Sequence, residues 1–294
     1  MTVPGRLTLR AIVSRRAPVG DSSGFVVLSR AGQSRRIPYW LRVTAPKLGL
    51  EPHRVLPRPG VYKGDTRKGH ALVTSYRYPS APGPLGVLTR LRGPEQVFQF
   101  VIRRRVANAG AVVLSQGPGV HISPRLVRAG SEDRLAGFTA LPLRINPYQP
   151  GYYGIERVVG VFRPTPGRYD FVFDTPSRRR AGTFTFRFWV NDTTPPSARL
   201  LTPAVSPGQR LRLLVGDRGS GVDSSSLLAE VDGSFRRILY TASSGAVQVA
   251  LPRLPAGRHR LVFSVADNQE TKNTENEHLA LPNTRRLVTT FVVR

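Results

Sequence analysis

The sequence predicts an all-β fold of tandem antiparallel sandwiches, and three observations predict it. Apolar residues alternate with period two in segment after segment. Clusters of Gly, Pro, Asn and Asp separate those segments at roughly 8 to 12 residues, the spacing of sandwich strands and turns. No amphipathic helical stretch runs beyond two turns.

In chain order, the pattern predicts strands at Leu7 to Val13, Phe25 to Ser29, Trp40 to Val43, His70 to Tyr76 and Val97 to Ile102. The next pair is the clearest. Arg168 to Phe173 puts Tyr169, Phe171 and Phe173 on one face, and Thr183 to Val190 does the same for Phe184, Phe186 and Phe188. The link between them carries Arg178-Arg179-Arg180, so the expectation is a β-hairpin with an exposed basic tip. Leu211 to Val215, Val247 to Leu251, Leu261 to Val265 and Leu287 to Val293 complete the strands.

Two breaks divide the chain. Asn191-Asp192-Thr193-Thr194-Pro195-Pro196 lies between strands, and its paired prolines deny both helix and ladder hydrogen bonds. Pro46, Pro52, Pro57 and Pro59 crowd the other. The expected units are residues 1–48 (a partial domain), 52–191 and 192–294.

Composition removes several functions. With no cysteine there is no disulfide scaffold, no thiolate zinc site and no cysteine nucleophile. The 294 residues carry a net +26, but 40 of the 44 basic residues are Arg, a usage that a GC-rich coding bias also produces. Residues 1–191 hold 31 basic and 9 acidic residues, and 192–294 hold 13 and 9, so the excess sits in the first two units. Helix-turn-helix, zinc-finger and RNP-type patterns are missing, which argues against nucleic acid as the partner. No apolar run approaches the ~18 residues of a spanning helix, so no membrane span is expected. No secretory leader pattern follows Met1, and the expectation is a piece of a larger protein.

Several residue groups then resemble a family. Asp192-Thr-Thr-Pro-Pro, Asp217-Arg-Gly-Ser-Gly-Val-Asp223, Val231-Asp-Gly233, Leu254-Pro-Ala-Gly-Arg-His259 and Ser264-Val-Ala-Asp267 are similar to the Ig-like modules of secreted bacterial proteins. Gly24-Phe-Val-Val-Leu28 with Arg36-Ile-Pro-Tyr-Trp40 resembles the fibronectin type III-like domain that follows the catalytic domain of subtilisin-like serine peptidases. Pro59-Gly-Val-Tyr-Lys-Gly64, Tyr76-Arg-Tyr-Pro79, Gly93-Pro-Glu95 and Phe186 to Asp192 look like the rest of that C-terminal region in large subtilases of high-GC Gram-positive bacteria. The resemblance implies an extracellular or cell-surface, non-catalytic accessory region whose partner is the catalytic domain of the same polypeptide. The alternative is an independent adhesion or polyanion-binding module, with anionic cell-wall polymer as its partner.

The subtilase His-Gly-Thr and Gly-Thr-Ser motifs do not occur, and Ser75 near His70 and Asp65 is better explained as polar residues on a solvated strand. His53, His70, His121, His259 and His278 show no metal-ligand spacing, and the parity of His259 with Leu261 and Phe263 predicts a hydrogen-bonded core histidine. Calcium is the one cofactor that fits: Asp192, Asp217, Asp223, Asp267 and Glu270, with Asn191 and Asn273, are hard oxygen donors on loops that could share one pole of a sandwich. Turn chemistry explains the same residues, and both readings stand. Arg103, Arg104, Arg105, Arg178, Arg179 and Arg180 are the candidate basic surface, and solvated charge at strand ends is its alternative. Tyr148, Tyr152 and Tyr153 form a Pro/Gly/Tyr loop, either a stacking surface or a packed cap.

Overall fold

The computed structural model describes residues 8–14, 16–79, 91–137, 157–268 and 283–294. The chain forms two compact units, Met1–Pro46 and Lys47–Arg294. The first contains one two-stranded antiparallel sheet, β1 (Gly20–Arg30) and β2 (Gln33–Val43). Residues 8–13, expected in a strand, belong to none.

The second unit holds two sandwiches. The first is built from β3 (His53–Val55), β4 (Gly60–Asp65), β5 (Gln96–Ile102), β6 (Asn108–Gln116), β7 (Ser123–Arg128), β8 (Leu135–Gly137), β9 (Val158–Phe162), β10 (Gly167–Asp174) and β11 (Thr183–Val190). One sheet runs β3-β5-β10-β7-β8 and the other β4-β11-β6-β9, and only β3 to β5 is parallel. The second is built from β12 (Ser197–Leu200), β13 (Ala204–Val205), β14 (Leu211–Gly216), β15 (Leu228–Val231), β16 (Ser234–Phe235), β17 (Ile238–Thr241), β18 (Ala246–Val249), β19 (Gly257–Ala266) and β20 (Thr284–Val293). Its sheets are β12-β14-β18-β17 and β13-β20-β19-β15-β16. The class is all-β, as expected, and among the described residues no helix is long and apolar enough to cross a membrane.

The expected hairpin of β10 and β11 does not form. Each strand joins a different sheet: β10 pairs β5 and β7, whereas β11 pairs β4 and β6. The link therefore carries the chain across the sandwich. Period two reports which face of a strand is apolar, and both aromatic faces meet in one core from opposite sides. Phe173 of β10 and Phe186 of β11 lie 4.5 Å apart by ring centroids, and Phe100 stacks on Phe171 at 4.6 Å. Pairs of this kind add about 0.5–1.5 kcal/mol each to plain apolar burial.

The sheet containing β10 is covered on both faces. Its outer side chains Val97, Val127 and Val172 pack under Leu48, Val73, Tyr76 and Leu91. The segment His70 to Tyr76, expected as a strand, is the cover, and it is irregular. Its backbone finds a side-chain partner where a sheet neighbour would be: Glu95 Oε1 accepts from the backbone N–H of both Leu72 and Val73 at 2.8 Å. Burying segment and carboxylate together creates a charge problem. Glu95 and Asp174 are fully buried, Tyr76 donates its hydroxyl to Asp174 Oδ1 at 2.9 Å, and among the described residues Glu95 Oε2 and Asp174 Oδ2 have no hydrogen-bond partner. Burial first, and Asp174 second, pushes Glu95 up to about 8, and burial pushes Asp174 up to about 7 against the pull of Arg125.

Both groups thus favour the protonated form in the fold. Their contribution to stability is complete below the ordinary carboxylate range and is lost as pH rises through 7 to 8. Glu95→Gln keeps the oxygen that Leu72 and Val73 use and removes the charge. Thermal midpoints measured from pH 5 to pH 8.5 are expected to fall for the native chain and to fall less for Glu95→Gln; parallel curves would contradict this.

Candidate functional site: the carboxylate junction between the sandwiches

The connector between the two sandwiches is held by its own side chains. β11 ends at Val190, and Asn191 takes a left-handed conformation at φ 57°, which Asn tolerates better than most residues. Its N–H donates to Asn108 O at 2.7 Å, and its side-chain oxygen accepts from Ala107 N at 2.8 Å. Asp192 is then gripped through its backbone, because Asn108 Oδ1 accepts from its N–H at 2.8 Å and Asn108 Nδ2 donates to its carbonyl at 2.7 Å. One buried Asn thus closes the first sandwich onto the connector.

The Asp192 side chain reaches the second sandwich. Its Oδ2 accepts from Ser220 N at 2.6 Å, inside the Asp217 to Asp223 loop. The approach is close enough that a Cβ on Gly219 would sit 2.3 Å from the carboxylate carbon, so a side chain there would push the carboxylate out of its place. Arg187 of β11 donates to the carbonyls of Asp217 at 3.2 Å and Gly219 at 3.3 Å, adding a second tie from the first sandwich to the same loop. Asn283, just before β20, donates to Asp192 O at 3.3 Å and to Asp267 Oδ2 at 2.7 Å.

This brings Asp192, Asp217 and Asp267 together, each offering one oxygen within 4.8 Å of the others. Asp192 and Asp267 are buried and Asp217 half-buried. Burial, reinforced by the other two carboxylates, pushes Asp267 up to about 8, and burial raises Asp217 as well. A proton or a hard cation would relieve the repulsion, and a cleft of about 330 Å3, lined in part by Arg187, Trp189 and Arg218, lies beside Asp192. Three of the five acidic residues predicted as calcium ligands therefore meet. Asp223 does not join them: its Oδ1 accepts from Ser225 N at 3.0 Å and Ser225 Oγ at 2.7 Å, capping the short turn 224–226. Asn191 faces Ala107 instead, and Glu270 and Asn273 lie outside the described residues.

The other candidates are separated. In β10 and β5, Gly167 pairs with Ile102 and Phe173 with Gln96, so Arg103 to Arg105 follow one end of the sheet and Arg178 to Arg180 follow the other. Eight strand residues put roughly 20 Å or more between the two exposed runs, too far for one patch. His70 meets Glu51, with Nδ1 to Oε2 at 3.2 Å, and Asp65 is held by Arg67, so neither serves Ser75. His259 is buried beside Phe291, with Nδ1 at 2.7 Å from Asp232 and Nε2 at 2.9 Å from Pro255 O, in keeping with a hydrogen-bonded core histidine. The hydrogen bond to Asp232 raises its pKa. His278, Tyr148, Tyr152 and Tyr153 lie outside the described residues. Sequence reasoning missed the Glu95 and Asp174 pair; its signal is a carboxylate on the last residue of β10 and another just before β5, beside the pair Phe173 and Gln96.

No family model matches the chain, and no curated protein matches it. Among solved structures it is similar to a DUF4785 family protein from Legionella pneumophila, at 8% identity and a TM-score of 0.22, covering 100% of this chain and 70% of that one. It is similar also to a polysaccharide lyase at 8% identity and a TM-score of 0.23, covering 94% of this chain and 40% of that one. Likeness at this level carries nothing about activity.

Asp192→Ala leaves Ser220 N buried without an acceptor, a loss on the order of 1–3 kcal/mol. Calorimetry is expected to show the unfolding of residues 47–294 splitting into two transitions in that variant, while Asp192→Asn, which retains an acceptor, keeps one. A single unshifted transition in Asp192→Ala would refute the junction's coupling role.

Proposed function

We propose that the chain is a non-catalytic accessory region of a secreted subtilisin-like serine peptidase, which positions or stabilises the catalytic domain or tethers it to a surface. The observation that carries the reading is the junction. A spacer must hold its ends at a fixed geometry, and buried hydrogen bonds from Asn108, Asp192, Arg187 and Asn283 couple two sandwiches into one compact unit. The host protein and the extracellular location come from the sequence resemblance alone. The purified chain is expected to leave casein intact, and joining a subtilisin-like catalytic domain ahead of it is expected to raise that domain's thermal midpoint. Hydrolysis by the chain alone would overturn the proposal, and an unmoved midpoint would strike stabilisation from it.

Calcium belongs to the same reading. Asp192, Asp217 and Asp267 would hold the ion, supplying three of the six to eight oxygens it takes, and neutralising their repulsion would stiffen the junction. Millimolar calcium is expected to raise the midpoint of the native chain, and Asp217→Asn to abolish the rise. An equal midpoint in calcium and in chelator would remove calcium from the account.

The alternative, an independent adhesion or polyanion-binding module, finds less support, because the two Arg runs lie at opposite ends of one sandwich.

A further inference from the structure

The first unit, Met1–Pro46, has a surface that nothing so far explains. Among its described residues none is buried. β1 and β2 pair over all eleven residues of each strand. A two-stranded sheet without a covering layer is marginally stable in water, yet this one is richly apolar.

The pairing fixes which side chains share a face. Ala31 and Gly32 form a two-residue turn with φ of 47° and 79°, the signature of a type I′ hairpin, closed by the pair Arg30 and Gln33. In such a hairpin the closing pair exchanges both hydrogen bonds, and every second pair outward does the same. Ile37 opposite Val26 and Tyr39 opposite Gly24 are therefore hydrogen-bonded pairs, and Pro38 opposite Phe25 is not. That is the position where proline loses nothing within the hairpin. One face carries Val26, Leu28, Ile37, Tyr39, Leu41 and Val43. Leu9, Ile12, Val13 and Val19 rim it, forming with Tyr39 and Leu41 a groove of about 840 Å3. The opposite face exposes Phe25 and Trp40.

The same parity describes the edges. The outward N–H groups of β1 belong to Asp21, Ser23, Phe25, Val27 and Ser29, an unbroken row. The outward row of β2 is interrupted at Pro38, so β1 is the edge able to accept a full-length strand.

Charge identifies the occupant. Residues 1–46 contain eight Arg and one Asp, and the one Asp, Asp21, is bridged by Arg42 at 2.5 Å. Residues 47–294 hold 36 basic and 17 acidic residues, so the rest of this chain, like a second copy, is also strongly positive. A self-partner would bring like charge to like charge, whereas an acidic strand is drawn in by the field.

We propose that the β1–β2 hairpin is the docking site for an extended acidic polypeptide, which adds as a strand to the open edge of β1 and lays aliphatic side chains beside the Val26 and Leu28 face. The affinity comes from main-chain pairing and apolar burial, and the selectivity from charge. The inference concerns residues 8–46 alone and does not depend on the accessory reading.

The test uses the full chain and backbone amide exchange at Ser23, Phe25, Val27 and Ser29, whose outward N–H groups pair with no other strand among the described residues. An eleven-residue peptide alternating Glu and Val is expected to slow exchange of these amides at least threefold. Its affinity is expected to exceed that of an alternating Lys and Val peptide by at least tenfold. Val27→Pro deletes one outward N–H of β1 without touching a bond to β2, and Arg35→Glu with Arg36→Glu lowers the net charge of residues 1–46 from +7 to +3 without touching the edge. Each is expected to weaken the Glu and Val peptide by at least tenfold, and circular dichroism checks that each folds. Four results would overturn the proposal: poly-L-glutamate or heparin binding as tightly as the alternating peptide; a dimer in which the outward amides of β1 are already protected; protection of those amides in the free monomer; or unaltered peptide affinity in the double Arg variant.

Discussion

The side chain of Asp192 is the constraint on which the arrangement of the second unit depends. Its backbone is fastened to Asn108 of the first sandwich and its carboxylate to Ser220 of the second, so the one residue belongs to both cores. Pro195 and Pro196 alone would leave a stiff but freely pivoting connector. The carboxylate removes the pivot, and removing it costs charge proximity, because Asp217 belongs to the loop that Asp192 must reach and Asp267, just after β19, bridges to that loop at Val222. Burial first, and the neighbouring carboxylates after it, raise Asp217 and Asp267. Rigidity and repulsion at this point are two results of one packing decision.

The same logic recurs at the far side of the first sandwich. Both faces of the sheet around β10 are buried, so a second layer is needed, and the covering segment is irregular. Irregular backbone under burial must find acceptors, and Glu95 supplies one for two N–H groups. In each place a buried carboxylate does what a neighbouring strand would do elsewhere. The pH dependence of the fold follows from that substitution.

How far these features could be read from sequence has a physical answer. Period two gave the inward faces of β10 and β11 correctly, because alternation records burial. It could not say that β10 and β11 lie in opposite sheets, because a face that meets a facing sheet and a face shared with a paired neighbour have the same pattern. His70 to Tyr76 misled for a related reason: Val73 and Tyr76 are buried, three residues apart, but the segment covers a sheet instead of joining one. The junction was legible in part. Asp192, Asp217 and Asp267 stood out as oxygen donors beside turns, and so did Asp223, which closes its own turn through Ser225. Local capping and long-range convergence use the same residue types, and only the three-dimensional path separates them.

The net charge of +26 reads differently once divided over this architecture. In the first sandwich the Arg runs stand at opposite ends, where each is solvated by itself. In the hairpin, charge and exposed apolar surface occupy the same eleven-residue strands. Like charge keeps such a surface from pairing with its own copies, a service that lysine and proline perform on many sheet edges. Here Pro38 blunts one edge and Arg guards both faces, which leaves the edge of β1 open only to a strand of opposite sign. Protection against self-association and selection of a partner are thus the same electrostatic property seen from two sides.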